Sequence, residues 1–529
     1  MRVGLDIGTH IARAAYLGPG GRPHLVRMPD GADSLPALAR QTLLGLEVGA
    51  EAARALVGNA ETTVCGCTRL MGRAGALPAG LLARTPHPVR EVGGEALCDL
   101  LYAEVRASEV YGRIARALVD AAEQALGQPV ESVALAVPAG AEDRFRVQAR
   151  AAVEAQGIRV VRLINRPAAA LLPMGDGGLG IRNYSPQSPI TDPQSPTHIA
   201  VVDFGGGSTD VSIAERSAAG VRVLATAGDP LLGGDDCAWE VARQLNQRFI
   251  RGAGVDVFAV DDSRIAAQGL RAAAEAALHA LGAAHEALLV LDHGGGFGRD
   301  LVTVVCRPEV DRWLASLLAR VAALCERALA ATRLSAGQID AVLLIGEAVE
   351  LPGVRETIAR AFDHPIADLL TRDAVALAAY GAAIAAAEDA PAVWDVTPYP
   401  LGINCHYGSE ELFSSIVPAN TPIPTPPIDA SGAFVEHYQT LLPDQTSVRL
   451  DILQYRGPRI PATRGTDRVY PRECELLGSW DFAGLHPPPG RQAPFTVTFA
   501  IDADGILHLH AEETGTGHAL TASVDRGIG

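Results

Sequence analysis

The sequence predicts an α/β domain followed by a smaller β domain. Up to about residue 388, short runs of β-branched residues alternate with helical stretches rich in Ala, Leu and Arg, which is the pattern of layered α/β structure. Beyond that point "EDAPAVWDVTPYP" is rich in proline, and strands of alternating apolar and polar residues replace the helices. A chain of 529 residues is also too long for a single core.

Four strands and three helices are well marked in the α/β part. The predicted strands are "RVGLDIG" (2–8), "SVALAVP" (132–138), "IAVVDFG" (199–205) and "AVLLIG" (341–346). Helices are expected between Pro138 and Gly157, from Arg271 onward, and in the Ala-rich tract 374–387, which is too short to span a membrane. The polar segment 176–198 is rich in Pro and Ser, so we expect a surface insertion there.

The β part has its own pattern. "SVRLDILQY" (447–455) and "FTVTFAIDADGILHLHAEE" (495–513) alternate apolar and polar residues, as strands with one buried face do. Within the second segment Asp504 and Gly505 form a dipeptide typical of hairpin turns. These features predict a β structure with no helix after it.

Composition excludes several classes of partner. The formal net charge is −17, which argues against a general nucleic-acid or anionic-membrane surface. The chain contains no lysine, so a phosphate site that needs one cannot have it. Eight scattered cysteines and an N-terminus without a secretory signal favour a reduced compartment. We therefore expect a cytoplasmic protein that binds neither nucleic acid nor membranes.

Two glycine-containing turns carry the clearest functional signal. "DFGGGSTD" (203–210) follows one apolar strand, and "DIGT" (6–9) ends another. Bare glycine backbone lets N–H groups approach phosphate oxygens, and an aspartate before each turn can hold Mg²⁺ through its water shell. The repetition suggests an internal duplication and a Mg²⁺-nucleotide ligand. A plainer alternative is that the glycines only close two hairpins.

Further segments, in the same order, resemble the seventy-kilodalton heat-shock (DnaK-like) chaperone family. In the α/β part they are "INRPAAALL" (164–172), "LLGGDDCAWEVARQL" (231–245), "DAVLLIGEAVELPGVRETI" (340–358) and "DAVALAAYGAAIAAA" (373–387). In the β part they are "WDVTPYPLGI" (394–403), "IVPANTPIPT" (416–425) and the block 476–517. The resemblance implies an α/β actin-like ATPase fold of two duplicated lobes, followed by a β-sandwich peptide-binding domain.

The resemblance also implies domain limits, ligands and site residues. Residues 1–388 correspond to the nucleotide-binding domain, 389–398 to the linker, and 399–529 to the β-sandwich without the family's helical lid. The implied cofactors are ATP or ADP with Mg²⁺, and the implied partners are extended or unfolded peptides, J-domain proteins and nucleotide-exchange factors. The implied catalytic residues are Thr9, Asp203 and Ser208, the metal ligands are Asp6 and Asp203, and the cofactor-binding residues are Asp6, Gly8, Thr9, His10, Gly205, Gly206, Gly207, Ser208, Asp210, Glu275, Gly346 and Glu347.

The chain departs from the family pattern at chemically important positions. The family's catalytic lysine is Thr68, and the glutamate that helps place Mg²⁺ and water is Arg166. In the adenine motif a glycine and an arginine are replaced by Glu347 and Glu350. Because phosphoryl transfer depends on positioning and electrostatic stabilisation, we expect weak or absent hydrolysis. An alternative is that Arg166 supplies to phosphate the positive charge that Thr68 lacks.

Five residues of the β part correspond by motif position to the family's peptide channel: Ile403, His406, Leu441, Val448 and Leu450. The alternation that places Val448 and Leu450 on one face would also arise in any sandwich core. Three functions remain open: a lidless chaperone with nucleotide as a weak regulator, a pseudo-ATPase scaffold or sensor for a specific partner, and, least favoured, a sugar-kinase-like phosphotransferase.

Overall fold

The computed structural model describes residues 1–523 except 57, 74–76, 175–195, 218, 261–264, 292–299, 371–374, 458–460 and 462–467. The chain forms two compact units. The first contains residues 1–71, 77–140 and 149–393, and the second contains residues 72–76, 141–148 and 394–529. The chain passes from the first unit to the second between Val393 and Trp394, inside the predicted linker.

The first part of unit one is a mixed sheet with helices packed on it. Its elements are β1 (Arg2–Ile7), β2 (Ile11–Leu17), β3 (Pro23–Leu25), β4 (Leu35–Pro36), β5 (Leu38–Thr42), β6 (Gly45–Val48), α1 (Ala50–Ala55), β7 (Thr63–Cys65), α2 (Cys67–Leu70), α3 (Ala79–Leu82), β8 (Val89–Val92), β9 (Glu95–Asp99), β10 (Glu104–Arg106), α4 (Ala107–Leu126), β11 (Ser132–Val137), α5 (Asp143–Glu154), β12 (Val160–Asn165) and α6 (Arg166–Leu171). The strand order is β12–β11–β1–β2–β3, with β4 beside β2. Strands β1, β11 and β12 are parallel, whereas β1, β2 and β3 form an antiparallel meander.

The rest of unit one repeats this arrangement. Its elements are β13 (Thr197–Phe204), β14 (Thr209–Ser217), β15 (Gly220–Asp229), α7 (Gly234–Ala253), α8 (Ile265–Ala283), β16 (Glu286–Leu291), β17 (Leu301–Cys306), α9 (Arg307–Ala330), β18 (Ala341–Ile345), α10 (Val354–Ala361) and α11 (Leu377–Ala385). The order β18–β13–β14–β15 again places an antiparallel meander beside a parallel strand. In both sheets the first strand of the meander ends at a predicted phosphate turn.

Small residues let α11 pack closely on the first sheet. A Cβ atom added to Gly4 in β1 would overlap the backbone of Ala382 and Ala383, and one added to Gly381 would overlap the backbone of Ala169 in α6. The alanines of the predicted buried helix are therefore needed for close approach rather than for apolar bulk. This packing fixes the ends of β1 and α6, which carry Asp6 and Arg166.

Unit two is built mainly from strands. Its strands are β19 (Ala392–Val396), which begins in unit one, β20 (Leu401–Tyr407), β21 (Glu410–Val417), β22 (Pro422–Ile423), β23 (Phe434–Gln439), β24 (Ser447–Gln454), β25 (Glu475–Ala483), β26 (Pro494–Ile501), β27 (Leu507–Glu513) and β28 (Ala519–Ser523). They include two four-stranded sheets, β21–β20–β24–β25 and β23–β26–β27–β28. Side chains of both sheets share one apolar core.

Unit two also includes the start of α5. Arg146 Nη1 donates to the carbonyl of Asp504 over 3.1 Å, and the Leu507 N–H donates to Asp143 Oδ2 over 3.2 Å. These bonds join the helix start to the β26–β27 hairpin. Burial raises the pKa of the Asp143 carboxyl to about 7, although the charge of Arg146 acts to lower it.

Most predicted elements are confirmed, with shifted ends. All four predicted strands are present, and Gly505 closes the β26–β27 hairpin with φ of 78°. Helix α8 begins at Ile265, earlier than the predicted Arg271. Most of the expected insertion, 176–195, lies outside the described residues. All eight cysteines are free thiols, and of the described helices none is long and apolar enough to cross a membrane.

Candidate functional site

The two predicted phosphate turns face one cleft in unit one. Each closes a hairpin: Gly8 N–H donates to the Ile11 carbonyl over 2.9 Å, and Gly205 N–H to the Ser208 carbonyl over 3.0 Å. The cleft is open to solvent and encloses about 530 Å³ when that open space is counted. Ten of the predicted site residues line it: Asp6, Gly8, Thr9, His10, Asp203, Gly205, Gly206, Ser208, Gly346 and Glu347.

The glycines of the second turn are required by its neighbours. Neither Gly206 nor Gly207 has a φ in the left-handed region, so the hairpin does not need glycine for its own conformation. A Cβ atom on Gly206 would lie 3.0 Å from the His10 ring, and one on Gly207 would lie 2.5 Å from Thr9 Oγ1. The bare backbone therefore lets the two turns approach each other across the cleft, which the plain hairpin alternative does not explain.

Arg166 occupies the position beside the first aspartate. Its Nε lies 2.7 Å from Asp6 Oδ1, and its Nη2 donates to the carbonyl of Ile7 over 2.8 Å. Burial acts to lower the pKa of this guanidinium, but the charges of Asp6 and Asp203 outweigh it and the pKa lies above its usual value. The side chain lines the cleft, so the positive charge near the turns belongs to the protein itself.

Asp203 lies in the same buried group of charges. Its side chain is 4 % exposed, and Oδ2 accepts no hydrogen bond from the described residues. Burial raises the pKa of this carboxyl to about 7, against the lowering effect of Arg166.

These residues do not fit a magnesium ion. Mg²⁺ requires a nearly ideal octahedral shell of oxygen ligands, whereas a guanidinium already holds Asp6. Metal binding at Asp6 and Asp203 stays a prediction, and the geometry argues against it.

A second group of charges lies behind the second turn. Arg69, on α2, is 5 % exposed; its Nη1 lies 2.9 Å from Asp235 Oδ2 and its Nη2 lies 3.0 Å from Asp236 Oδ1. Arg271 also contacts Asp235 over 3.2 Å, and Arg84 contacts Asp236 over 2.5 Å. The network ties α2 and α8 to the start of α7, which lies inside the segment 231–245.

The network shifts the pKa of one of its carboxyl groups, that of Asp235. Burial acts to raise the pKa of Asp235, but the charges of Arg271 and Arg69 outweigh it and hold the pKa below its usual value. The sequence interpretation missed this network. Its signal is present in the sequence, since "CTRLMGR" (67–73) contains the guanidinium and "LLGGDDCA" (231–238) contains both carboxylates.

The hydroxyl group of Thr68 contacts the first turn. Its Oγ1 lies 3.1 Å from Thr9 Oγ1, so the two side chains share a hydrogen bond. The position that carries an ammonium group in the family pattern therefore carries a neutral group. No charge from this position acts on the cleft.

Only some of the residues predicted on the adenine side line the cleft. Gly346, with φ of 91°, and Glu347 line the cleft, and Glu347 is paired with Arg13 over 2.8 Å. Glu275 lies outside this lining and contacts Arg271 over 3.1 Å. Two further predicted residues also lie off the lining: Gly207, inside the second turn, and Asp210, which accepts the Gly140 N–H over 2.7 Å.

The predicted peptide residues divide into two groups. Ile403 and Leu450 are each 2 % exposed and belong to the sandwich core, with Val448 packed against it. Leu441 is 50 % exposed, and His406 lies on the surface with Nε2 3.4 Å from Glu411. The burial of Ile403 and Leu450 is what the alternative of a plain core expects, and peptide binding at all five residues stays a prediction.

Sequence comparison places this fold and cleft in a known class. The family model for the Hsp70 protein matches residues 2–527, so the chain belongs to the Hsp70 family. The resemblance inferred from the motifs is thus confirmed.

The comparison also finds particular relatives. Two are chaperone protein HscA homologs from two strains of Acidithiobacillus ferrooxidans. Each is 30 % identical over 529 residues, covering 98 % of this chain and 76 % of the relative.

Proposed function

We propose that this protein is an Hsp70-type chaperone that binds ATP or ADP in unit one and extended apolar peptides in unit two. The observation that carries the nucleotide half is the pair of hairpin turns on one cleft, in which Gly8 and Gly207 lie too close to their neighbours to carry a Cβ atom. Backbone N–H groups at such turns bind phosphate oxygens. Membership of the Hsp70 family supports the same ligand.

The repeated strand order supports an actin-like fold with two lobes. In the two large sheets of unit one a meander begins with the strand that ends at a phosphate turn, and a parallel strand pairs with the other side of that strand. An ancestral duplication would produce this repetition. In such a fold the nucleotide lies between the two turns, where the cleft is found.

We propose that bound ATP is hydrolysed very slowly. Phosphoryl transfer needs groups that orient the attacking water and stabilise the developing charge. Thr68 offers a hydroxyl already engaged with Thr9, and Arg166 is engaged with Asp6. Neither side chain can accept a proton from water, and the chain has no lysine to replace the missing one.

The peptide half rests on the surface around Leu441. Leu441 and Leu442, in the β23–β24 loop, are 50 % and 62 % exposed. Exposed apolar side chains form interaction sites where they cluster, and the motif correspondence of Leu441 with the family's peptide channel distinguishes this pair from the exposed Leu43 and Leu44 of unit one. Unfolded or extended segments are the proposed occupants, and J-domain and nucleotide-exchange proteins are proposed as further partners by family membership.

A fluorescence-anisotropy titration tests the peptide half. A fluorescein-labelled peptide rich in Leu and Val should bind saturably, and Leu441→Ser should weaken it about fivefold, which corresponds to about 1 kcal/mol. The matched control is Leu44→Ser, because Leu44 is 98 % exposed on a hairpin of unit one and should leave peptide affinity unchanged. Absence of peptide binding by the wild-type protein would overturn this half of the proposal.

The second candidate is a pseudo-ATPase scaffold or sensor. It is favoured by one observation, the engagement of Arg166 with Asp6, which is incompatible with efficient turnover. The two candidates differ in unit two. A chaperone binds many unrelated apolar peptides with similar affinity, whereas a scaffold binds one partner and ignores them.

A further inference from the structure

The cleft contains a buried guanidinium at the position where the family pattern has a carboxylate. Arg166 is the first residue of α6, directly after β12, and its side chain is 8 % exposed. This position places the guanidinium at the end of the first sheet, where Asp6 lies near the end of β1.

The hydrogen bonds of Arg166 leave donors for a ligand. A guanidinium has five N–H donors and stays protonated at any physiological pH. Nε is used by Asp6 and Nη2 by the Ile7 carbonyl. Nη1 donates to none of the residues that the structure describes, and the side chain lines the cleft. Guanidinium donors bind phosphate oxygens well.

The same contacts oppose a divalent cation. Asp6 is one of two aspartates predicted to hold Mg²⁺, and its Oδ1 lies 2.7 Å from Arg166 Nε. A divalent cation beside Asp6 would either be repelled by the nearby positive charge of Arg166 or have to displace that buried side chain. Other positive charges are engaged elsewhere, since Arg13 pairs with Glu347 over 2.8 Å.

We propose that the guanidinium of Arg166 takes the place of the divalent cation, so that the cleft binds the diphosphate or triphosphate tail of a nucleotide free of Mg²⁺. This inference rests on the proposed nucleotide site. It adds that the positive charge the phosphates need is supplied by the chain, between the turns formed by residues 8–10 and 205–208.

Calorimetric titration with ADP, in excess Mg²⁺ and in excess EDTA, tests the proposal on the full chain. The expected dissociation constants differ by less than about tenfold, which corresponds to about 1.4 kcal/mol. A larger loss of affinity in EDTA overturns the metal-free site but leaves the nucleotide function standing. Absence of ADP binding in both buffers overturns the nucleotide function itself.

Two variants extend the test to metal. Arg166→Glu adds a third carboxylate beside the two aspartates, so ADP binding should become more than about tenfold tighter with Mg²⁺ than in EDTA. Arg166→Gln is the control that removes the charge without adding a ligand, and its affinity should fall in both buffers.

Electron paramagnetic resonance of Mn²⁺ gives a second readout that does not depend on hydrolysis. The reference is the free Mn²⁺ signal in the same ADP solution without protein, since ADP itself binds Mn²⁺; the wild-type protein and Arg166→Gln should leave that signal unchanged, and Arg166→Glu should reduce it further. If Arg166→Glu does not fold, the wild-type signal decides, because protein-bound Mn²⁺ in the wild-type sample overturns the proposal.

Discussion

Replacing Arg69 by Met should destabilise unit one more than any exposed arginine substitution. The guanidinium is 5 % exposed and contacts Asp235 over 2.9 Å and Asp236 over 3.0 Å. Removing one partner from a buried ion pair costs about 3–5 kcal/mol, since a carboxylate is left without compensation. Met keeps the volume of the stem, so the loss reports the charge rather than a cavity.

The remaining contacts place the cost at the lower end of that range. Asp235 keeps Arg271 over 3.2 Å, and Asp236 keeps Arg84 over 2.5 Å. Each carboxylate therefore loses one of two guanidinium partners. We expect a loss in the free energy of unfolding of about 3 kcal/mol.

Urea denaturation followed by Trp239 fluorescence measures this loss, since Trp239 lines the neighbouring cavity with Arg69. The other three tryptophans are replaced by Phe in all samples. The control is Arg54→Met, because Arg54 and Glu51 form an exposed pair over 2.7 Å and should contribute less than about 1 kcal/mol. Equal losses in the two variants would refute the assigned role of Arg69.

Three further predictions concern the cleft. Restoring the family residues in the double variant Thr68→Lys, Arg166→Glu should raise ATP turnover at least about a hundredfold in a phosphate-release assay, and no gain would contradict the explanation of slow hydrolysis. Gly207→Ala should lower the affinity for ADP at least about tenfold by calorimetry, because its methyl group would lie 2.5 Å from Thr9 Oγ1 in the opposite turn. The control is Gly80→Ala, whose methyl group has no neighbour within 4 Å and should leave the affinity unchanged. Asp235→Asn should lower stability at pH 7, and the difference should vanish as the pH falls through the lowered pKa of the carboxyl, since a depressed carboxyl pKa stabilises only above it; a difference that persists in acid would contradict the ionic role.

Much of the fold follows from local sequence. Three of the four strands predicted in unit one are largely apolar runs that end at a glycine, and the two hairpins of its phosphate turns close at "DIGT" and "DFGGGSTD". Helix α8 begins earlier than predicted because residues 265–270 continue its apolar face, with Ala266, Ala267 and Leu270 buried. Such ends depend on packing that a local pattern does not contain.

The site was less predictable because its contacts are distant in sequence. The sequence shows that Arg166 replaces the family's glutamate. It does not show that Arg166 pairs with Asp6, because the two residues are separated by 160 positions in the chain. The network of Arg69 with Asp235 and Asp236 likewise depends on the tertiary fold. In unit two, alternation places Leu450 on one strand face, but only the packed sheets show that this face is the core.

Calorimetry with ATP, followed by phosphate release on the same sample, tests the central claim most directly. The claim is that the cleft still binds a nucleotide tail although its groups for hydrolysis are replaced by Thr68 and Arg166. The predicted result is saturable one-site binding with phosphate release far below that of the double variant at these two positions. Either no binding, or sustained turnover as fast as that variant, would contradict the account.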